Sequence, residues 1–139
     1  MTTRRGKLGD IRKGLKDRLS TIHALHGHVY ATMPPSPLTP AAAIIPRNRA
    51  RTTFDGDVTY TFTVWVYVNP SDMARAQTQL DEYLSGDGPN SVQAAIEDDV
   101  TLGGVAQSVS VTGWTEYATL VDSAGGQLLG QQINVEVYA

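Results

Sequence analysis

Val58–Val68, reading VTYTFTVWVYV, places valine or an aromatic ring at every second position: Val58, Tyr60, Phe62, Val64, Val66 and Val68. A period of two, built from β-branched and aromatic residues, predicts a strand. The alternate positions begin as Thr59, Thr61 and Thr63 and end as Trp65 and Tyr67. One face of the strand is therefore polar in its first half, and both faces are apolar in its second. A strand of this kind belongs at the centre of a sheet, covered on one side by helices. The surplus apolar surface of its second half is expected to be covered by something else, such as another subunit.

Helical and strand patterns flank this centre. Leu8, Ile11, Leu15, Leu19, Ile22 and Leu25 recur at three- and four-residue steps, which predicts an amphipathic helix stopping near Gly27, with Arg12, Lys13, Lys16 and Asp17 off its buried stripe. A short strand is expected over His28–Thr32. The four prolines between Pro34 and Pro40 then force an extended connector, and Ala41–Ile45 reads as a buried strand. After the central strand, Ser71 is placed to cap a helix carrying Met73, Ala76, Leu80, Tyr83 and Leu84. Ser91 caps a shorter one carrying Val92, Ala95 and Ile96. Val105, Val109 and Val111 alternate with polar residues in one further strand and Ile133, Val135 and Val137 in the last, with Gly125-Gly126 turning between them. The expected fold is α+β: one mixed or antiparallel sheet of about four to five strands flanked by helices, in a single domain spanning residues 1–139. At this length one core suffices.

Two segments fall outside that framework. Residues 1–8 form a basic leader with Arg4, Arg5 and Lys7. Residues 46–57 are polar, longer than an ordinary hairpin turn, and carry Arg47, Arg49 and Arg51 two positions apart, with Phe54 beyond them. We expect a protruding hairpin or arm there, its three arginines on one face if extended.

Charge is split along the chain. Residues 1–51 hold ten of the eleven Lys and Arg, whereas residues 52–139 hold Arg75 alone against twelve of the fourteen carboxylates. A basic half commonly meets nucleic acid or membrane, but a chain with both halves can satisfy them by meeting copies of itself. No apolar run is long enough to span a bilayer, and the N-terminus lacks a signal-peptide pattern, so a soluble protein made in the cytoplasm without membrane contact is expected. With no cysteine, disulfides, thiolate metal sites and thiol nucleophiles are excluded.

Residues suited to chemistry are few. His23, His26 and His28 cluster at the junction of the first helix and strand, but no HExxH-like partner accompanies them, so junction histidines are favoured over a metal site. Glu97, Asp98 and Asp99 form an acidic run at a helix C-terminus, where the dipole disfavours it. The DxDxDG spacing of a calcium loop is missing, leaving a solvated or interface-facing patch as the better reading. No GxxxxGK[ST], GxGxxG or GxSxG pattern occurs. We therefore expect a non-enzymatic protein with no cofactor and no metal.

The stretch Leu80–Gly104, LDEYLSGDGPNSVQAAIEDDVTLGG, resembles the tail terminator and tail-completion proteins of long-tailed bacteriophages infecting actinobacteria. The shared features are a helix ending in a Gly-rich turn, a Ser-Val-x-x-Ala-Ile helix and an acidic exit to Leu-Gly-Gly. The opening helix, Pro-rich connector, valine-rich strand and final Val-Glu-Val strand extend the resemblance over nearly the whole chain from Leu8. It implies a fold similar to the phage lambda tail terminator and a homohexameric ring in the virion, assembled in the host cytoplasm. Such a ring ends tail-tube polymerisation, meets the tail tube protein and the head connector or stopper protein, and lets genomic DNA pass without specific binding. On this reading Arg47, Arg49, Arg51 and Phe54 lie at a subunit or tube interface, and Glu97, Asp98 and Asp99 are candidates to face the lumen. Another neck, head-completion or tail-tube protein is the neighbouring alternative. A DNA-binding regulator using Arg4, Arg5, Arg12 and Lys16, or a metal-dependent protein using the histidines, is the alternative from another class.

Overall fold

The computed structural model describes residues 8–22, 25, 28–30, 40–51, 58–69, 73–121 and 127–138, with backbone alone for 51, 73 and 116–121. The elements run α1 (Leu8–Leu19), β1 (Val29–Tyr30), β2 (Ala41–Arg51), β3 (Val58–Val68), α2 (Met73–Leu84), α3 (Val92–Glu97), β4 (Ser108–Val121) and β5 (Gln127–Tyr138). The strands form one sheet in the order β1-β2-β3-β5-β4. Only β1 pairs in parallel, with β2; every other pairing is antiparallel. This is the expected α+β arrangement, with β3 at the centre.

The three helices cover one face. Ile11, Leu15 and Leu19 of α1, Ala76, Leu80 and Tyr83 of α2, and Val92 and Ile96 of α3 pack with Phe62, Val64, Val66, Ile133, Val135 and Val137 of the sheet in one buried cluster. Cross-strand partners share a face, so Val64 with Ile133 and Phe62 with Val135 place that half of β5 on the helix side. The other face carries the expected polar row, Thr59, Thr61 and Thr63, and then an apolar end. There Tyr67 is 0% exposed among Ala41, Ala43 and Leu128, with Tyr30, Ile45 and Trp65 against them. The surplus apolar surface of β3 is thus covered largely within the chain, Tyr67 fully and Trp65 in part. Gly130 makes this possible: the Trp65 and Tyr67 rings stack 5.9 Å apart, and a Cβ on Gly130 would lie 3.2 Å from each.

Three elements depart from the sequence expectation. Helix α1 ends at Leu19, six residues before the apolar stripe does. The Ser20 hydroxyl donates to Lys16 O at 2.8 Å and the Thr21 hydroxyl to Arg18 O at 2.6 Å, taking up terminal carbonyls. The following backbone bonds then tighten to three-residue steps, Ile22 to Leu19 and Leu25 to Ile22, which keeps both side chains buried. Strand β2 continues past Ile45 to Arg51, into the segment read as an arm. Strand β4 begins at Ser108 rather than Val105 and runs on to Val121, well past Thr112. Gly27, the connector over 31–39, the Ser71 cap and Gly125-Gly126 lie outside the described residues.

Candidate assembly surfaces

Among the described residues, no strand pairs with the outer side of β2 beyond Ala43, since β1 pairs with Ala42 and Ala43. Residues 46–50 are exposed while still paired with β3, so the 46–57 segment starts as the outer limb of a hairpin. The register shifts between Pro46 and Asn48, which makes Arg47 the extra residue of a β-bulge. The bulge interrupts the simple alternation of the three arginines along the strand. Arg49 is carried opposite Tyr60, on the helix side, and the Arg51 backbone pairs with Val58, while Arg47 sits at the bulge itself. Among the described residues, neither Arg47 nor Arg49 forms an ion pair. Phe54 lies outside the described residues.

The acidic run is placed differently from residue to residue, and each carboxylate has local work. Glu97 is half-buried; its Oε2 accepts the Val111 N–H of outer strand β4 at 3.0 Å, and its Oε1 accepts Gln93 Nε2 at 3.2 Å. Asp98 accepts the Arg18 guanidinium at 3.0 Å and remains 79% exposed. Asp99 accepts the Thr101 hydroxyl and the Thr101 and Gly103 N–H groups, and these bonds, the hydroxyl's first, hold its pKa below the ordinary value. Three residues on, the backbone turns left-handed at Leu102, Gly103 and Gly104, with φ of 51°, 76° and 94°. Arg18 resolves the dipole conflict of an acidic helix end, because its Nε also donates to Ala95 O at 2.9 Å. Nothing local in the sequence announces that partner, which lies 77 positions away.

The histidines do not form a described site. His28 places Nδ1 3.0 Å from Pro40 O, a junction contact, while His23 and His26 lie outside the described residues. Among the described residues no group of three or more His, Asp or Glu side chains is arranged to hold a metal ion. No helix among them is long and apolar enough to cross a membrane.

A surface that sequence reasoning missed lies at the other edge of the sheet. Strand β4 shifts register twice, at Thr112 and at Glu116, and the segment Gly113–Thr115 sits between the two bulges. Gly113 has φ of 151°, a backbone position that favours glycine. Trp114 follows, paired with Ile133 on the helix side, and is 57% exposed. It lines a cleft of about 350 Å³ with Gln77, Leu80, Asp81 and Leu84 of α2 and Gln131 of β5.

No protein-family model matches this chain, and no curated protein does. Among solved structures, the chain is similar to one from the virion of a native gene transfer agent particle, with a TM-score of 0.44 and 13% identity over 94% of this chain and 96% of that one. A likeness of that degree carries no inference about function.

Proposed function

We propose that this chain is a structural virion protein of a long-tailed bacteriophage: a tail terminator subunit that closes into a homohexameric ring on the last ring of the tail tube and offers the head connector a docking face. The observation that carries the reading is the placement of two unlike surfaces at opposite edges of one sheet. The arginine-bearing limb of β2 lies toward one edge; Trp114 of β4 lies at the other, sharing a cleft with Asp81 of α2. Unlike surfaces on opposite sides suit head-to-tail contacts, which close into rings when the rotation allows. The segment carrying the family resemblance supports it too. Leu80–Gly104 comprises the end of α2, the Ser91-capped α3 and the left-handed Leu-Gly-Gly exit.

The mechanism is geometric. One face of such a ring repeats the contact between tube rings and the other does not, so further tube subunits find no complementary surface. Arg47, Arg49, Arg51 and Phe54 belong to the subunit or tube interface on this reading. The acidic surplus, with Glu97, Asp98 and Asp99 as candidates, lines part of the bore, where carboxylates repel passing phosphates instead of holding them. The test is assembly in the absence of the protein. Phage lacking it should produce tubes of uncontrolled length that fail to join heads, and the purified chain should run as six copies of 15.0 kDa. Normal tails joined to heads in its absence would overturn the reading.

A further inference from the structure

We infer that the cleft between Trp114 and helix α2 receives the arginine limb of the β2–β3 hairpin from a second copy of this chain. The inference rests on the ring reading and names the surfaces that would form its subunit contact. Trp114 is more exposed than any other buried-type side chain among the described residues, at 57% against 37% for Leu8, 45% for Val100 and 42% for Tyr138. Its exposure is built in: bulges on either side and the φ of Gly113 re-aim it beside the α2 groove. A tryptophan at the lip of a groove is the side chain most often found as an interface anchor.

The occupant is indicated by charge. Asp81 lines the groove, and among the described residues its carboxylate has no ion-pair partner. A ligand for this cleft therefore combines a cation with a stem that can lie on an indole face, as an arginine does. The chain supplies one: Arg49 is exposed on the outer limb of the hairpin, on the same helix side of the sheet as Trp114 and at the opposite edge. In a head-to-tail array the Arg49 edge of one copy faces the Trp114 edge of the next. The guanidinium would then pair with Asp81 while its plane covers the indole.

The experiment is sedimentation velocity and tryptophan fluorescence on the full chain. A Trp65→Phe background leaves Trp114 as the sole emitter, since the chain has two tryptophans. Assembly should shift its emission to the blue. Trp114→Ala and Asp81→Arg should each weaken association by about tenfold or more with unchanged thermal melting. Combining Asp81→Arg with Arg49→Asp should restore it. Rings that form with unshifted emission and are indifferent to both substitutions would overturn this docking while leaving the ring reading intact. A chain that stays monomeric at every concentration would overturn the docking and deny the ring reading its preformed hexamer.

Discussion

Gly14 is where helix α1 comes closest to the turn after α3. A Cβ placed there would lie 2.9 Å from the Leu102 Cβ and 3.1 Å from the Leu102 carbonyl oxygen, and Leu102 is itself held at φ 51°. Replacing a mid-helix glycine by alanine ordinarily stabilises by about 0.5–1 kcal/mol. Here the overlap falls on backbone that is already constrained, and overpacking of this kind costs about 1–3 kcal/mol. Gly14→Ala should therefore lower the urea midpoint. Gly9, in the same helix with open space around its Cβ position, supplies the contrast: Gly9→Ala should raise the midpoint or leave it unchanged. Equal shifts for the two would mean that α1 does not pack on Leu102. At Asp99 the folded carboxyl titrates below its ordinary 3.8, so the stabilisation its bonds provide is complete above that value and lost as pH falls through the lower folded one. The stability gap between wild type and Asp99→Ala, measured at neutral pH, should narrow below pH 3.8. A gap constant into strong acid would show that the charge of Asp99 is not what its turn uses.

Helix α3 has six residues, far fewer than the 12–15 or so that make an isolated helix even marginal in water, so its neighbours must hold it. They do so at both ends: the Ser91 hydroxyl accepts the Ala94 N–H at 3.0 Å, Arg18 takes the Ala95 carbonyl, and Glu97 takes Val111 N–H. Arg18 is 21% exposed at its side chain and its ion-pair partner Asp98 is 79%, so the two ends of one salt bridge should differ in worth. Arg18→Ala is expected to cost about 1–3 kcal/mol, since it strands a part-buried carbonyl, whereas Asp98→Ala should cost under about 1 kcal/mol. Urea titrations of both variants check the asymmetry, and equal losses would contradict it. The same elements explain what could be read in advance. Strand β3 was legible because strands on both sides hold it to an unbroken period of two. Strand β4 was not, because its bulges at Thr112 and Glu116 reset the alternation and leave Trp114 and Tyr117 three positions apart. The outer half of β2 was obscured in another way: an edge limb exposed on both faces shows no apolar period to follow. The role of Arg18 could not be read at all, because its carbonyl partner lies 77 positions away. Of the candidate assembly surfaces, the arginine limb was therefore visible as composition and the Trp114 cleft was not visible at all.

At the scale of the whole molecule, the charge segregated along the sequence finds few ion-pair partners among the described residues. The ion pairs there include Lys13–Asp17 and Arg18–Asp98, the first of them exposed on both sides. Such pairs contribute little to folding, so raising salt should scarcely move the melting temperature. Association is another matter. If copies meet basic edge to acidic edge, the attraction acts between exposed groups and falls as the screening length shrinks from about 10 Å at 0.1 M salt to about 3 Å at 1 M. Electrostatic matching also acts strongly on the rate of encounter, so the weakening should appear first in slower assembly. Burial of Trp114 responds the other way, since screening leaves apolar contact intact and strongly excluded salts such as sulfate reinforce it. Sedimentation in sodium chloride at 0.1 M and 1 M, repeated in sodium sulfate at matched ionic strength, separates the two contributions. The expected result is weaker association in concentrated chloride with partial recovery in sulfate. Association indifferent to chloride would leave the arginine limb without a part in the contact, and the charge split along the chain would then need another partner to explain it.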